Sequence, residues 1–111
     1  MNKQDIRLDL LRKLESNSKY TQRELSKEMG VSLGKVNYCI KKLIEKGWVK
    51  VNNFRNNPNK ISYTYLLTPK GIEEKSRLTI SFLYRKMEEY ELLKKEISQL
   101  KEDSDRLLPK D

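Results

Sequence analysis

The apolar positions change period along the chain, and the changes mark the elements. Ile6, Leu10, Leu11 and Leu14 share one face of a helix that opens on Asn2 and Asp5, a weak cap, and ends near Glu15. After the polar connector Ser16 to Lys19, Thr21 and Glu24 form a capping box and Tyr20 is placed to staple onto Leu25. This predicts a helix from Thr21 to Met29, ended by Gly30. Ser32 is a second N-cap, with Val31 placed to staple onto Val36. Val36, Cys39, Ile40 and Leu43 then fall at i, i+3, i+4 and i+7, which predicts a second helix running to Lys46, across a four-residue turn from the first. Gly47 stands at the C′ position.

Beyond Gly47 the period shortens. Trp48-Val49-Lys50-Val51 and Ile61-Ser62-Tyr63-Thr64-Tyr65-Leu66-Leu67 are rich in β-formers and partly alternate. The stretch between them, Asn52 to Lys60, has Asn, Pro and basic residues with little apolar content, and is expected as a hairpin loop. Thr68 then caps a helix with Pro69 at its first position. From Ile72 to Leu108 there is neither proline nor glycine, so that helix extends roughly 60 Å at 1.5 Å per residue. Its apolar positions Ile80, Leu83, Met87, Tyr90, Leu93, Ile97, Leu100 and Leu107 follow a heptad seam with one slip between Tyr90 and Leu93. A domain this small has no surface to bury such a seam, so a second copy of the chain is the expected partner.

The predicted fold is mainly α with a small β-hairpin: a winged helix-turn-helix followed by one long C-terminal helix that forms a dimeric coiled coil. Residues 1–67 make the winged domain, with the helix-turn-helix at 21–46 and the wing at 48–67. Residues 68–108 make the dimerisation helix and 109–111 a tail.

Composition sharpens this picture. Apolar and charged residues each make up 36% of 111 residues, so the core is small and much helix surface is solvated. The net charge of +8 is unevenly spread: Met1 to Gly71 carry 15 Lys+Arg against 6 Asp+Glu, whereas Ile72 to Asp111 carry 9 against 10. A basic front half points to nucleic acid or an anionic surface. No apolar run is long enough for a membrane span or a secretory signal. With one Cys and no His, no internal disulfide and no Cys/His metal cluster is expected, which suits a cytoplasmic protein. Cys39 shares the phase of Val36 and Leu43 and is expected in the core, as an inert thiol.

The outer face of the second helix of the pair carries the candidate chemistry. Gly34, Lys35, Asn37, Tyr38 and Lys41 are placed to reach base edges in a major groove, because Lys and Asn donors match guanine and adenine acceptors. Thr21, Ser32 and Lys42 are candidates for phosphate contact. At the wing, Arg55, Asn57 and Lys60 are candidates for the backbone or minor groove. Glu88, Glu89, Glu91, Lys94, Lys95 and Glu96 alternate in sign around the seam, as a salt-bridged solvent face does. There is no Gly-rich phosphate loop, no nucleophile beside a base and no metal set, so no catalytic residue, enzyme activity or cofactor is expected. The competing reading is a winged-helix module whose basic face binds an acidic protein.

The segments VSLGKVNYCIKKLIEKGWVKV and YLLTPKGIEEKSRLTISFLYRKMEEYE resemble the MarR-type winged-helix regulators, and specifically the short subgroup associated with exopolysaccharide gene clusters. The resemblance covers nearly the whole chain, and LLTPKGIEEK is its more specific part. It implies a bacterial transcriptional regulator that binds double-stranded DNA as a homodimer on a near-palindromic operator. It places recognition at Ser32, Gly34, Lys35, Asn37, Tyr38 and Lys41, with Arg55 on the wing. One departure stands out: larger MarR-type proteins build dimer and effector pocket from helices at both ends, whereas here one short helix precedes the motif and one long helix follows the wing. The residues identify no small-molecule effector.

Overall fold

A computed structural model describes the backbone of residues 2–57 and 60–108; the side chains of 54–57 and 60–62 lie outside the description. The elements run α1 (Lys3–Ser16), α2 (Gln22–Met29), α3 (Leu33–Glu45), β1 (Val49–Asn57), β2 (Lys60–Leu67) and α4 (Pro69–Leu107).

Local capping sets the helix boundaries. Asn2 accepts from the Asp5 amide at 2.8 Å and starts α1. At α2 both halves of the capping box form: the Glu24 amide donates to Thr21 Oγ1 at 3.1 Å and the Thr21 amide donates to Glu24 Oε1 at 3.0 Å. Ser32 accepts from the Lys35 amide at 3.0 Å and starts α3. Each such cap satisfies a donor that would otherwise be orphaned, typically at a gain of about 1 kcal/mol. Gly30 and Gly47 both adopt left-handed backbone, with φ of 68° and 75°, where a Cβ would be strained. The turn between α2 and α3 is Gly30-Val31-Ser32, one residue tighter than the sequence suggests.

The core is where α1, α2 and α3 meet the base of the hairpin. Leu10, Leu11, Leu14, Leu25, Val36 and Ile40 are buried, as are Leu43, Val49, Tyr65 and Leu78. Leu8 joins Ile6 in this core, so α1 buries a wider stripe than its strict helical phase indicates. Cys39 departs from expectation in the other direction. It is only half-buried, because it stands at the edge of the α3 stripe that faces the first turns of α1.

The hairpin differs from its reading in sequence. Asn52 to Asn57 is strand rather than loop: β1 and β2 pair antiparallel from Val49↔Leu67 through Val51↔Tyr65 and Arg55↔Ile61 to Asn57↔Lys60, with a register shift between Arg55 and Asn57. Backbone pairing holds these residues, and such pairing carries no requirement for apolar alternation.

The chain divides into two compact units, Met1–Thr79 and Ile80–Asp111, with the boundary inside α4. The first unit takes in α4 as far as Thr79, and there Glu74 and Leu78 are buried. Two contacts hold the start of α4 in that unit, and a third bond caps the helix itself. The Thr68 hydroxyl donates to the Gly47 carbonyl, the Thr68 amide donates to the Trp48 carbonyl at 3.0 Å, and the Gly71 amide donates to Thr68 Oγ1 at 3.0 Å. In the second unit every seam residue from Ile80 to Leu107 is exposed. Lys86–Glu89 and Glu91–Lys94 are ion pairs at 3.0 and 3.9 Å on its flanks, at i,i+3 spacing.

Candidate nucleic-acid interface

The outward face of α3 is determined by its inward one. With Val36, Ile40 and Leu43 buried, the 3.6-residue period turns Gly34, Tyr38, Lys41 and Lys42 to solvent, and all four are exposed, as is Lys35. Tyr38 is 53% exposed. The Lys42 ammonium lies 5.5 Å from the centre of its ring and 3.3 Å from Glu45 Oε2. Glu45 is an acid on the same face that the sequence reading passed over. Both partners of this pair are well exposed, so it is worth about 0–1 kcal/mol and is readily exchanged for a phosphate.

The cap residues flank this face. Thr21 and Ser32 are exposed and use their oxygens as acceptors for the α2 and α3 amides, which leaves each hydroxyl proton available to donate to a phosphate oxygen.

Asn37 occupies a different place from the residues beside it. It is half-buried, and its Nδ2 donates to Gln22 Oε1 at 3.1 Å, while Gln22 Nε2 donates to the Tyr65 hydroxyl at 3.2 Å. This relay joins α3, α2 and β2. It fixes the orientation of the Asn37 amide, and Oδ1 is the atom it leaves for an outside donor. Gln22 and Tyr65 were not found as interface residues from sequence, because 43 positions separate them and nothing local to either points to the other. The wing candidates Arg55, Asn57 and Lys60 have side chains outside the described residues.

A second basic surface adjoins the first. The flank of α3 that bears Lys35, Lys42 and Lys46 faces the first turns of α1, which carry Lys3 and Arg7, and between them is a cavity of about 290 Å³. Lys3, Arg7 and Lys46 were also missed in sequence; only the packing of α1 on α3 brings Lys3 and Arg7 to the recognition face, whereas Lys46 caps α3 itself. The Arg7 guanidinium sits 4.7 Å from the centre of the Trp48 ring and 3.9 Å from Glu74, which also binds Arg77 at 2.6 Å.

Three helices, a turn closed by a left-handed glycine and a two-stranded hairpin define a winged helix-turn-helix domain. Residues 3–50 match the family described as winged helix-turn-helix DNA-binding. No curated protein matches the chain in sequence. Among solved structures, the chain is similar to a MarR/EmrR family transcriptional regulator from Acinetobacter sp. ADP1, with 21% identity and a TM-score of 0.59 over 91% of this chain and 75% of that one. Wild-type MarR from E. coli, in its apo form, is 23% identical with a TM-score of 0.57 over 93% and 76%. FabT of Streptococcus pneumoniae, in complex with DNA, is 19% identical with a TM-score of 0.53 over 96% and 76%. The chain therefore has the fold of the MarR-type regulators. Among the described residues no helix is long and apolar enough to cross a membrane.

Proposed function

We propose that this protein is a cytoplasmic transcriptional regulator of the MarR type that binds double-stranded DNA sequence-specifically, as a homodimer on a near-palindromic operator. The observation that carries the reading is the α3 face. Lys35, Tyr38 and Lys41 stand exposed around Gly34, whose lack of a side chain lets backbone approach backbone, and the cap hydroxyls of Thr21 and Ser32 stand at its edges. In this reading α3 enters the major groove, Lys35, Asn37, Tyr38 and Lys41 meet base edges, and Thr21, Ser32 and Lys42 hold phosphates. The wing residues Arg55, Asn57 and Lys60 reach the adjoining backbone or minor groove.

The exposed seam of the second unit supports the homodimer. Ile80, Leu83, Met87, Tyr90, Leu93, Ile97, Leu100 and Leu107 form an apolar row that a second copy covers, and two linked readers then meet half-sites about one helical turn apart. By its resemblance to the exopolysaccharide-associated subgroup, the proposed operator belongs to such a gene cluster. Selection of bound sequences from random duplex DNA at physiological salt tests the proposal. A two-fold symmetric motif is the expected result, and the absence of enrichment overturns it.

A further inference from the structure

The cavity between α1 and α3 has a composition that backbone contact alone does not explain. Lys3, Arg7, Lys35, Lys42 and Lys46 line it, with no carboxylate in the lining. Among the described residues, acids pair with only two of these five, Glu74 with Arg7 and Glu45 with Lys42. Ile6, Cys39 and Leu43 add apolar side chains to the lining, and Tyr38 and Trp48 complete it. Trp48 is held in place by Arg7 over its ring, and Lys46 lies 5.5 Å from the ring centre. A duplex phosphodiester calls for exposed cations but not for a recess lined in part by apolar and aromatic side chains. Such a recess suits a planar ring.

We infer that this cavity binds a small planar phosphate monoester of about mononucleotide size, and that its occupation competes with DNA. Three features select this class. The volume of about 290 Å³ is at the small end of ligand pockets, which run to roughly 300–1,000 Å³, and suits a ligand of mononucleotide size. A phosphate monoester carries about −1.5 to −2 at neutral pH, which matches the cation excess better than a single carboxylate. Lysines surround a phosphate as point charges while Arg7 offers a planar fork. The competition rests on the DNA-binding reading above: Lys35, Tyr38 and Lys42 belong to both surfaces, so the two ligands share cations and ring.

Binding itself is tested without DNA. Trp48 is the only tryptophan and Cys39 the only cysteine of the chain, and both line the cavity, so each reports occupancy. Adenosine 5′-monophosphate titrated into the full-length protein is expected to give a saturable change in Trp48 emission and to slow alkylation of Cys39 by iodoacetamide. Adenosine and inorganic phosphate bind at least tenfold more weakly. Lys3→Ala with Lys46→Ala lowers the affinity for the nucleotide at least tenfold, with an unchanged circular dichroism spectrum; Lys3→Ala alone gives a smaller loss in the same direction.

Absence of a saturable signal, or unprotected Cys39 at saturation, overturns the site. Phosphate binding as tightly as the nucleotide overturns the planar class and makes the cavity a backbone-phosphate contact. Competition is read separately, as a rightward shift of the DNA-binding curve in step with Trp48 occupancy. Nucleotide binding that leaves DNA affinity unchanged overturns competition alone, and a failed DNA selection leaves the Trp48 and Cys39 readouts intact.

Discussion

The carbonyl oxygen of Trp48 occupies the space where a side chain on Gly71 would begin: a Cβ built on Gly71 falls 1.9 Å from it. The same carbonyl accepts the Thr68 amide, so the first turn of α4 is fixed against the turn that ends α3. This accounts for Thr68-Pro69-Lys70-Gly71 as a unit. Thr68 caps and bonds, Pro69 starts the helix, and Gly71 permits the approach. Gly71→Ala is expected to destabilise the protein by about 1–3 kcal/mol, as overpacking does. At about 4–8 °C per kcal/mol for a domain of this size, thermal unfolding followed by circular dichroism resolves it. An unchanged midpoint would show that the two backbones separate freely.

Lys35→Ala should reduce sequence preference more than total affinity, because a base contact contributes discrimination of about 1–3 kcal/mol whereas a phosphate contact weakens all sequences alike. Binding isotherms on a selected operator and on scrambled DNA decide between them. Equal losses on both would move Lys35 from the bases to the backbone.

Tyr65→Phe removes the hydroxyl that accepts from Gln22 Nε2 and leaves that part-buried amide without its partner. A loss of about 0.5–1.5 kcal/mol is expected. Gln22 and Asn37 should also be coupled in a double-mutant cycle, because one hydrogen bond joins them. Additive losses for the Gln22→Ala and Asn37→Ala pair would show that the relay does not hold Asn37.

Truncation after Thr79 is expected to leave a folded monomer with much weaker operator binding, while the full chain sediments as a dimer at micromolar concentration. The cut belongs after Thr79 because Leu78 is 2% exposed and Glu74 8%, and both are part of the first unit. Leu93→Glu with Ile97→Glu in the full chain should dissociate the dimer as well. A full chain that sediments as a monomer would refute the coiled-coil reading.

How much of this was legible in sequence follows from how far apart the interacting groups lie. The starts of α1, α2, α3 and α4 could be read because each is set by side chain and backbone within three or four residues: Asn2 with Asp5, Thr21 with Glu24, Ser32 with Lys35, Thr68 with Gly71. Gly30 and Gly47 were equally local. The outward face of α3 followed from its inward one by helical period alone.

The strand from Asn52 to Asn57 was hidden, because its signal is backbone pairing with Lys60 to Thr64 and polar side chains on a ribbon leave no alternation. Folding also decided the join from Asn37 through Gln22 to Tyr65, the approach of Gly71 to Trp48, and the basic cavity that makes Lys3 and Arg7 neighbours of the recognition helix. Each depends on groups brought together from distant parts of the chain by burial of the common core, and no short-range pattern encodes such a meeting. Sequence by itself determined where the helices begin and end and which face of α3 is left outside, since capping and helical period are local chemistry. Tertiary structure alone decided what stands beside that face, because packing sets it.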